Sequence, residues 1–269
     1  MGETKNMIIW IASYPKSGNT WIRLFLKSYF SDEDQELNIN DQTSIPSFPE
    51  PKYFDLLNID FTKVTELVKN WNLIQDHINL NGETNFLKTH NGMFKINDYK
   101  FTDSKNTKGA IYIVRDPRDI AISYSNHFGR SHEETVNSML NPQNVEKMEY
   151  KNKIYTHSIM GKWSDNYNSW KSYNLTKILI IKYEDLIKEP QNSFLKILEY
   201  LKDKNNLKIN LKKMNKAIDD TNFNNLKKKE ENYGFKEKSI HGRFFRKGVI
   251  GEWKYSLDKE LVKKIENAF

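Results

Sequence analysis

Ile8-Ile9-Trp10-Ile11-Ala12-Ser13-Tyr14-Pro15-Lys16-Ser17-Gly18-Asn19-Thr20-Trp21 decides the reading of this chain. An apolar run short enough for one buried strand breaks at Tyr14-Pro15. A loop with a lysine, a glycine and two hydroxyls follows, and an amphipathic helix begins. A strand that feeds a helix through such a loop aims backbone N–H groups and the positive end of the helix dipole at one point. That arrangement binds phosphate or a similar oxyanion. The Walker pattern Gly-x-x-x-x-Gly-Lys-Ser/Thr is close, but it puts its lysine after the second glycine. Here Lys16 precedes Gly18, so the loop is expected to serve a different phosphate donor.

Working outward, Asn19 or Thr20 is expected to cap the first helix, whose Trp21, Leu24, Phe25 and Ser28 recur at one-face spacing. Three more apolar runs read as buried parallel strands: Asn85–Lys88, Ala110–Val114 and Lys177–Lys182. Helical patterns between them predict an α/β, P-loop-like three-layer fold, with a central parallel sheet of about four to five strands flanked by helices. Residues 31–58, with Pro46, Pro49 and Pro51, read as a loop over the surface. A long helix is expected from about Asn144 to Tyr173, with Ile154, Met160, Trp163, Tyr167 and Trp170 inward. Another starts at Pro190 and runs to Leu201. The Lys- and Asn-rich stretch 202–238 is the least patterned and is expected to hold a helix and a mobile, lid-like loop.

The 269 residues contain no Pro/Gly/Ser-rich linker and no repeat, so a single domain over 1–269 is expected. The net charge of +7 comes from bases scattered among acids, which favours a local site for an anionic ligand over a nucleic-acid or membrane surface. The chain has no cysteine, which excludes disulfides, thiolate zinc sites and a cysteine nucleophile. No apolar stretch approaches the roughly 20 residues that cross a bilayer. A soluble, cytoplasmic protein is the expectation.

Polar signatures stand where each strand ends. They are Tyr14-Pro15-Lys16-Ser17-Gly18, Lys88-Thr89-His90, Arg115-Asp116-Pro117-Arg118-Asp119 and Tyr183-Glu184-Asp185. In open parallel sheets ligands bind beyond the carboxyl ends of the strands, so the four are expected to form one site. Near the carboxyl end, Arg246-Lys247-Gly248 puts two cations before a glycine, which suits a loop closing on phosphate.

With these segments on the page, the chain resembles the cytosolic-type sulfotransferase family. Matching segments span Ile8 to Trp253, the strongest being Tyr14–Trp21, Ile113–Ser123 and Arg246–Trp253. The resemblance implies transfer of a sulfuryl group from 3′-phosphoadenosine 5′-phosphosulfate to a hydroxyl or amine. Such transfer has a loose transition state, so positioning and charge stabilisation dominate.

Lys16 is placed to neutralise the departing 5′-phosphate, with Ser17, Gly18, Asn19 and Thr20 as further donors. In the family, the aromatic matching Trp21 stacks near the adenine; a core role for Trp21 is the alternative. The family's general base occupies the position of His90, and Lys88 would help hold the transferring sulfonate. Residues matching Arg115 and Ser123, and those matching Arg246, Lys247 and Gly248, hold the 3′-phosphate. Tyr183 and Phe223 match positions around the adenine. Arg118 and Asp119 read as a surface or helix-start charge pair. After His90 the family usually continues Leu-Pro; here Asn91-Gly92 stands instead, which changes the wall of the acceptor pocket.

No metal is expected, because no HExxH, EF-hand or carboxylate cluster faces the donor loop and the lysines and arginines would carry that load. The family's dimer segment is not matched: Asp258, Lys259 and Lys263 stand at its Thr, Val and Glu positions. A monomer, or a dimer through another surface, is expected. The acceptor is expected to be a small molecule or a glycan. Two rival readings are a P-loop kinase or NTPase, disfavoured by the lysine position and the lack of a Walker-B aspartate, and a catalytically silent nucleotide-binding module.

Overall fold

Every residue of β1 (Ile8–Ser13) is buried, as an unbroken apolar strand covered on both faces requires. The computed structural model describes residues 7–41, 45–174, 176–205 and 207–269. After β1 come α1 (Asn19–Phe30), α2 (Lys52–Leu56), α3 (Val64–Lys69) and α4 (Trp71–Ile78), then a 3-10 turn at Asn79–Asn81. Next are β2 (Asn85–Thr89), β3 (Lys95–Ile96), β4 (Tyr99–Lys100), β5 (Thr107–Val114), α5 (Pro117–Phe128) and α6 (His132–Met139). The hairpin β6 (Val145–Tyr150) and β7 (Lys153–Ile159) precedes α7 (Trp163–Lys171), β8 (Ile178–Lys182), α8 (Tyr183–Lys188) and α9 (Pro190–Asn205). The chain ends with α10 (Leu211–Asp220), α11 (Phe223–Tyr233), α12 (Trp253–Ser256) and α13 (Lys259–Glu266).

The central parallel sheet has the order β2-β1-β5-β8 and is flanked by helices. β1 and β2 pair in parallel from Ile8↔Asn85 to Ala12↔Thr89. All four strands thus lie where the apolar runs place them. The described residues group into two compact units, one holding Ile45–Tyr112 and Asn141–Ile180 with the chain start to Tyr14, the other holding the rest.

In the first unit, Trp10 anchors the core. Its ring meets Phe48 edge-on at 5.3 Å and Phe101 at 5.0 Å. Its indole N–H donates to Thr107 Oγ1 at 2.8 Å. Trp10→Ala is expected to cost about 3–5 kcal/mol, since it opens a cavity and removes one of the two partners of the Thr107 hydroxyl, which keeps Thr102 Oγ1 at 2.7 Å. A urea unfolding curve reads this directly; a midpoint within error of wild type would contradict it.

Three expectations change. The stretch 144–160 is not helical: β6 and β7 pair antiparallel across Lys151-Asn152, both at positive φ of 51° and 60°. That geometry is the two-residue hairpin turn usually signalled by Asn-Gly; with no glycine, the signal was absent. Ile154 consequently points to solvent, while Met160 and Trp170 are buried as expected and Trp163 and Tyr167 are half-buried. Secondly, 31–58 is not wholly a surface loop. Ile45, Phe48 and Phe54 are buried, and Ser47 bridges in parallel to Lys88, with Phe48 N donating to Lys88 O at 2.8 Å. Residues 42–44 of that stretch lie outside the described residues. Thirdly, 202–238 is more regular than expected. α9 continues to Asn205, and α10 and α11 follow, each capped by an asparagine side chain, Asn210 and Asn222. Residue 206 lies outside the described residues.

Candidate functional site

The loop after β1 is held open by backbone geometry. Lys16 (φ 63°) and Gly18 (φ 104°) both adopt left-handed conformations. Only glycine does so without strain, and a Cβ at Gly18 would also come 2.7 Å from the Tyr183 ring. Gly18, not Asn19 or Thr20, occupies the cap position of α1, and no side chain caps that helix. Thr20 Oγ1 instead donates to Glu237 Oε2 at 2.7 Å, and Arg23 Nη1 donates to Glu237 Oε1 at 2.8 Å. The Lys16 ammonium lies 3.9 Å from the centroid of the Phe244 ring.

Arg115, at the end of β5, joins this loop. Its Nη1 donates to Lys16 O at 3.0 Å, and its guanidinium stacks over Tyr183 at 4.3 Å. Tyr183, first residue of α8, has its hydroxyl pushed up in pKa by burial, with Arg115 opposing. Trp21 meets Tyr183 edge-on at 6.0 Å and belongs, with Phe223 and Phe244, to the margin of a core around Leu24, Leu226, Phe235 and Phe245. Trp21 is thus half-buried at the edge of this core. Phe223 packs on Gly248, whose φ is 64° and whose Cβ, if present, would overlap the phenyl ring. Ser123 sits half-buried in the second turn of α5.

The cations of the carboxyl-terminal loop are already paired. Arg246 grips Glu252 with both terminal nitrogens, Nη1 to Oε1 at 2.9 Å and Nη2 to Oε2. Lys247 Nζ donates to Glu252 Oε1 at 2.7 Å. Asp119 proves to be no surface pair of Arg118. It is buried and accepts from Gly251 N at 2.7 Å and Trp253 N at 3.1 Å, fastening this loop to α5. Arg118 pairs with Asp116 and Glu266 and stacks on Trp253, so it is spoken for. Glu230 accepts from Phe244 N and Phe245 N at 2.7 and 2.9 Å.

Amid this pairing, Ser17 Oγ, Trp21 Nε1 and Arg115 Nε are buried without a hydrogen-bond partner among the described residues. Orphaned buried donors are costly, so three of them around a phosphate-binding type of loop fit a polar, anionic ligand.

All of these residues belong to the second unit. Lys88 and His90 belong to the first. His90 Nδ1 lies 2.7 Å from Ser13 O, and a carbonyl only accepts, so Nδ1 carries the proton. Nε2 is then left with its lone pair. Burial first, and the Lys88 ammonium second, push the imidazole below its ordinary 6.5, with Glu146 and the Ser13 carbonyl opposing. The ring is thus neutral near pH 7 and able to take a proton. Its backbone is fixed as well: Asn166 Nδ2 donates to His90 O at 3.1 Å. Asn91 Oδ1 accepts from Ile159 N at 2.8 Å, and Trp170 Nε1 donates to Asn91 O at 2.9 Å. Asn91 therefore ties the loop after β2 to the hairpin.

Glu146, His157, Glu237 and Glu252 were not singled out from the sequence. Glu252 lay within a quoted motif; His157 and Glu146 were hidden by the helical reading of the hairpin.

A parallel α/β sheet whose first strand feeds a helix through a phosphate-type loop is the architecture of nucleotide-handling folds. A family model described as "Sulfotransferase domain" matches residues 7–269. The chain belongs to that family and is an enzyme that transfers sulfuryl groups. It is 27% identical to luciferin sulfotransferase of Photinus pyralis over 98% of this chain and 71% of that protein. With sulfotransferase 1E1 of Mus musculus it shares 26% identity over 96% of this chain and 81% of that one. Among solved structures, mouse sulfotransferase SULT7A1 complexed with PAP superposes with a TM-score of 0.61 at 19% identity, over 99% of this chain and 83% of that one. Retinol dehydratase, in complex with androsterone and the inactive cofactor PAP, gives 0.59 at 15%, over 97% and 79%. Among the described residues, no helix is long and apolar enough to cross a membrane.

Proposed function

We propose that this enzyme moves the sulfuryl group of 3′-phosphoadenosine 5′-phosphosulfate to a hydroxyl or amine of a small acceptor by in-line displacement. The acceptor oxygen attacks sulfur, its proton passes to His90 Nε2, and the breaking S–O bond leaves its electron pair on the 5′-phosphate. Lys16, with Ser17, Gly18, Asn19 and Thr20, steadies that leaving group, and Lys88 holds the transferring sulfonate. Arg115, Ser123, Arg246, Lys247 and Gly248 take the 3′-phosphate, with Trp21, Tyr183 and Phe223 around the adenine. The observation that carries the reading is the His90 tautomer, locked by the Ser13 carbonyl with Nε2 left basic. Two of the similar solved structures are complexes with PAP, and two relatives are named for luciferin and amine sulfotransfer, which supports this donor and small acceptors.

Labelled donor incubated with a mixed panel of phenols, alcohols and amines tests the reaction. Thermal shifts with adenosine 3′,5′-bisphosphate against ATP separate the reading from a kinase or NTPase; a shift with ATP alone would overturn it. Turnover persists in chelator in this scheme, because side-chain cations do the work of a metal. In place of the family's dimer segment, Asp258 caps α13 and Lys263 pairs with Glu260 at 3.0 Å, which supports a monomer or another interface.

Gly248→Ala forces a side chain into a left-handed position against Phe223, a strain of about 1–2 kcal/mol before any displacement of the ring. Donor affinity is expected to fall about tenfold, with kcat at saturating donor little changed. Calorimetric titration with adenosine 3′,5′-bisphosphate checks this.

A further inference from the structure

Thr20 has one proton to give, and Glu237 receives it. The Thr20 hydroxyl donates to Glu237 Oε2 at 2.7 Å, while Arg23 Nη1 donates to Glu237 Oε1 at 2.8 Å. A hydroxyl carries a single O–H, and the oxygens of an ionised phosphate only accept. Glu237 and the phosphate proposed for this loop therefore compete for the same donor.

The carboxylate comes from the segment that follows α11. Phe235 and Phe245 fix the two ends of that segment in the core that also holds Leu24 of α1. The backbone on both sides of Glu237 is held as well. Lys236 N donates to Asn40 Oδ1 at 2.8 Å, and Lys238 N donates to Phe235 O at 3.0 Å. Asn40 Nδ2 donates to Gly234 O at 3.1 Å. The same segment supplies Phe244, whose ring centroid lies 3.9 Å from the Lys16 ammonium. One anchored segment thus touches two of the groups proposed for the leaving phosphate, the Lys16 ammonium and the Thr20 hydroxyl.

The two halves of the Glu237 grip differ in kind. Thr20 and Arg23 are three residues apart and so share a face of α1. Arg23 and Glu237 form an ion pair whose side chains are only 8% and 19% exposed. That half is durable, because breaking a buried pair leaves a charge uncompensated. The Thr20 half is exchangeable. A helical threonine has two χ1 wells open to it, so one rotation re-aims the hydroxyl. When the hydroxyl leaves, Arg23 still holds the carboxylate.

We infer that Glu237 is an internal competitor of the donor. It holds the Thr20 hydroxyl, yields it as the 5′-phosphate arrives and takes it back as the spent nucleotide departs. Glu237 is a positioning residue: it acts through Thr20 and touches no reacting atom. The inference rests on the donor reading given above. Its consequence is a weaker hold on the nucleotide and a shorter life for the product complex.

Calorimetric titration and release kinetics with adenosine 3′,5′-bisphosphate test this on the full chain. Glu237→Gln keeps the shape but offers Thr20 a neutral acceptor, and hydrogen bonds to charged groups are the stronger ones. The dissociation constant is expected to fall about five- to tenfold, with most of the change in the off-rate. A merely structural contact would give unchanged or weaker binding, so the sign decides. Glu237→Asp keeps the charge and shortens the reach by one methylene. It should tighten binding about threefold, and it carries the test if the glutamine variant does not fold. In a Thr20→Val background both substitutions should change affinity by less than about twofold, because no hydroxyl is left to release. Unchanged or weaker binding in the Glu237 variants overturns the proposal. So does an equal gain in the Thr20→Val background, which would make the effect one of charge alone. A wild-type protein that does not bind this nucleotide would overturn the donor reading and the proposal together.

Discussion

His90→Ala is expected to lower turnover by about 10²- to 10⁴-fold, the usual contribution of a positioned general base. Affinity for adenosine 3′,5′-bisphosphate should stay within about twofold of wild type, because in the proposed mechanism the imidazole acts on the acceptor and not on the nucleotide. Single-turnover rates with labelled donor and a parallel calorimetric titration read the two quantities separately. If the variant kept wild-type turnover, His90 would not be the base. The pH profile adds an independent mark. A base whose pKa is pushed below 6.5 by burial and by Lys88 stays unprotonated as pH falls through 6.5. The acid limb of the rate profile should therefore lie below the ordinary imidazole range, and lowering the pH from 7 to 6 should cost little activity. A half-maximal point at 6.5 or above would contradict the environment described for His90.

Arg246→Ala should have the second large effect, on the nucleotide. It removes a two-pronged guanidinium and leaves Glu252, whose side chain is only 7% exposed, with Lys247 alone. Truncating one partner of a buried charge pair costs about 2 kcal/mol or more, so affinity for the bisphosphate should fall about thirtyfold or further. At saturating donor kcat should move far less, since in the proposed reaction the 3′-phosphate takes no part in bond breaking. Arg118→Ala is the control: Arg118 is committed to Asp116 and Glu266, and its loss should leave nucleotide affinity near wild type.

The residues that made the core and the turn after β1 legible in the sequence did so through short-range physics. Ile8 to Ser13 could only be a strand buried on both faces, and Gly18 marked the turn that delivers Lys16. Arg115 declared itself by leaving an apolar strand, and Pro117 by opening a helix. Legibility failed where tertiary context overrode local pattern. Val145 to Ile159 carries apolar residues at spacings that suit a helix as well as a strand, and the Lys151-Asn152 turn lacks the glycine that would have decided the matter. With the hairpin unseen, its tie to Asn91 was unseen too. Asp119 was misjudged for a related reason. Nothing local says that a helix-start aspartate will be buried by a loop more than 130 residues later, accepting from Gly251 N and Trp253 N.

Glu252 gives the closing loop a counter-ion of its own. Two adjacent cations would otherwise repel each other and keep Arg246-Lys247-Gly248 spread in solvent until an anion arrived. With the carboxylate in place, the loop is folded in advance, and the phosphate of the proposed donor would meet side chains already gathered. Under the proposed function, binding would be an exchange of anions at a prepared seat, with the entropy of ordering that loop met on folding rather than in each catalytic cycle.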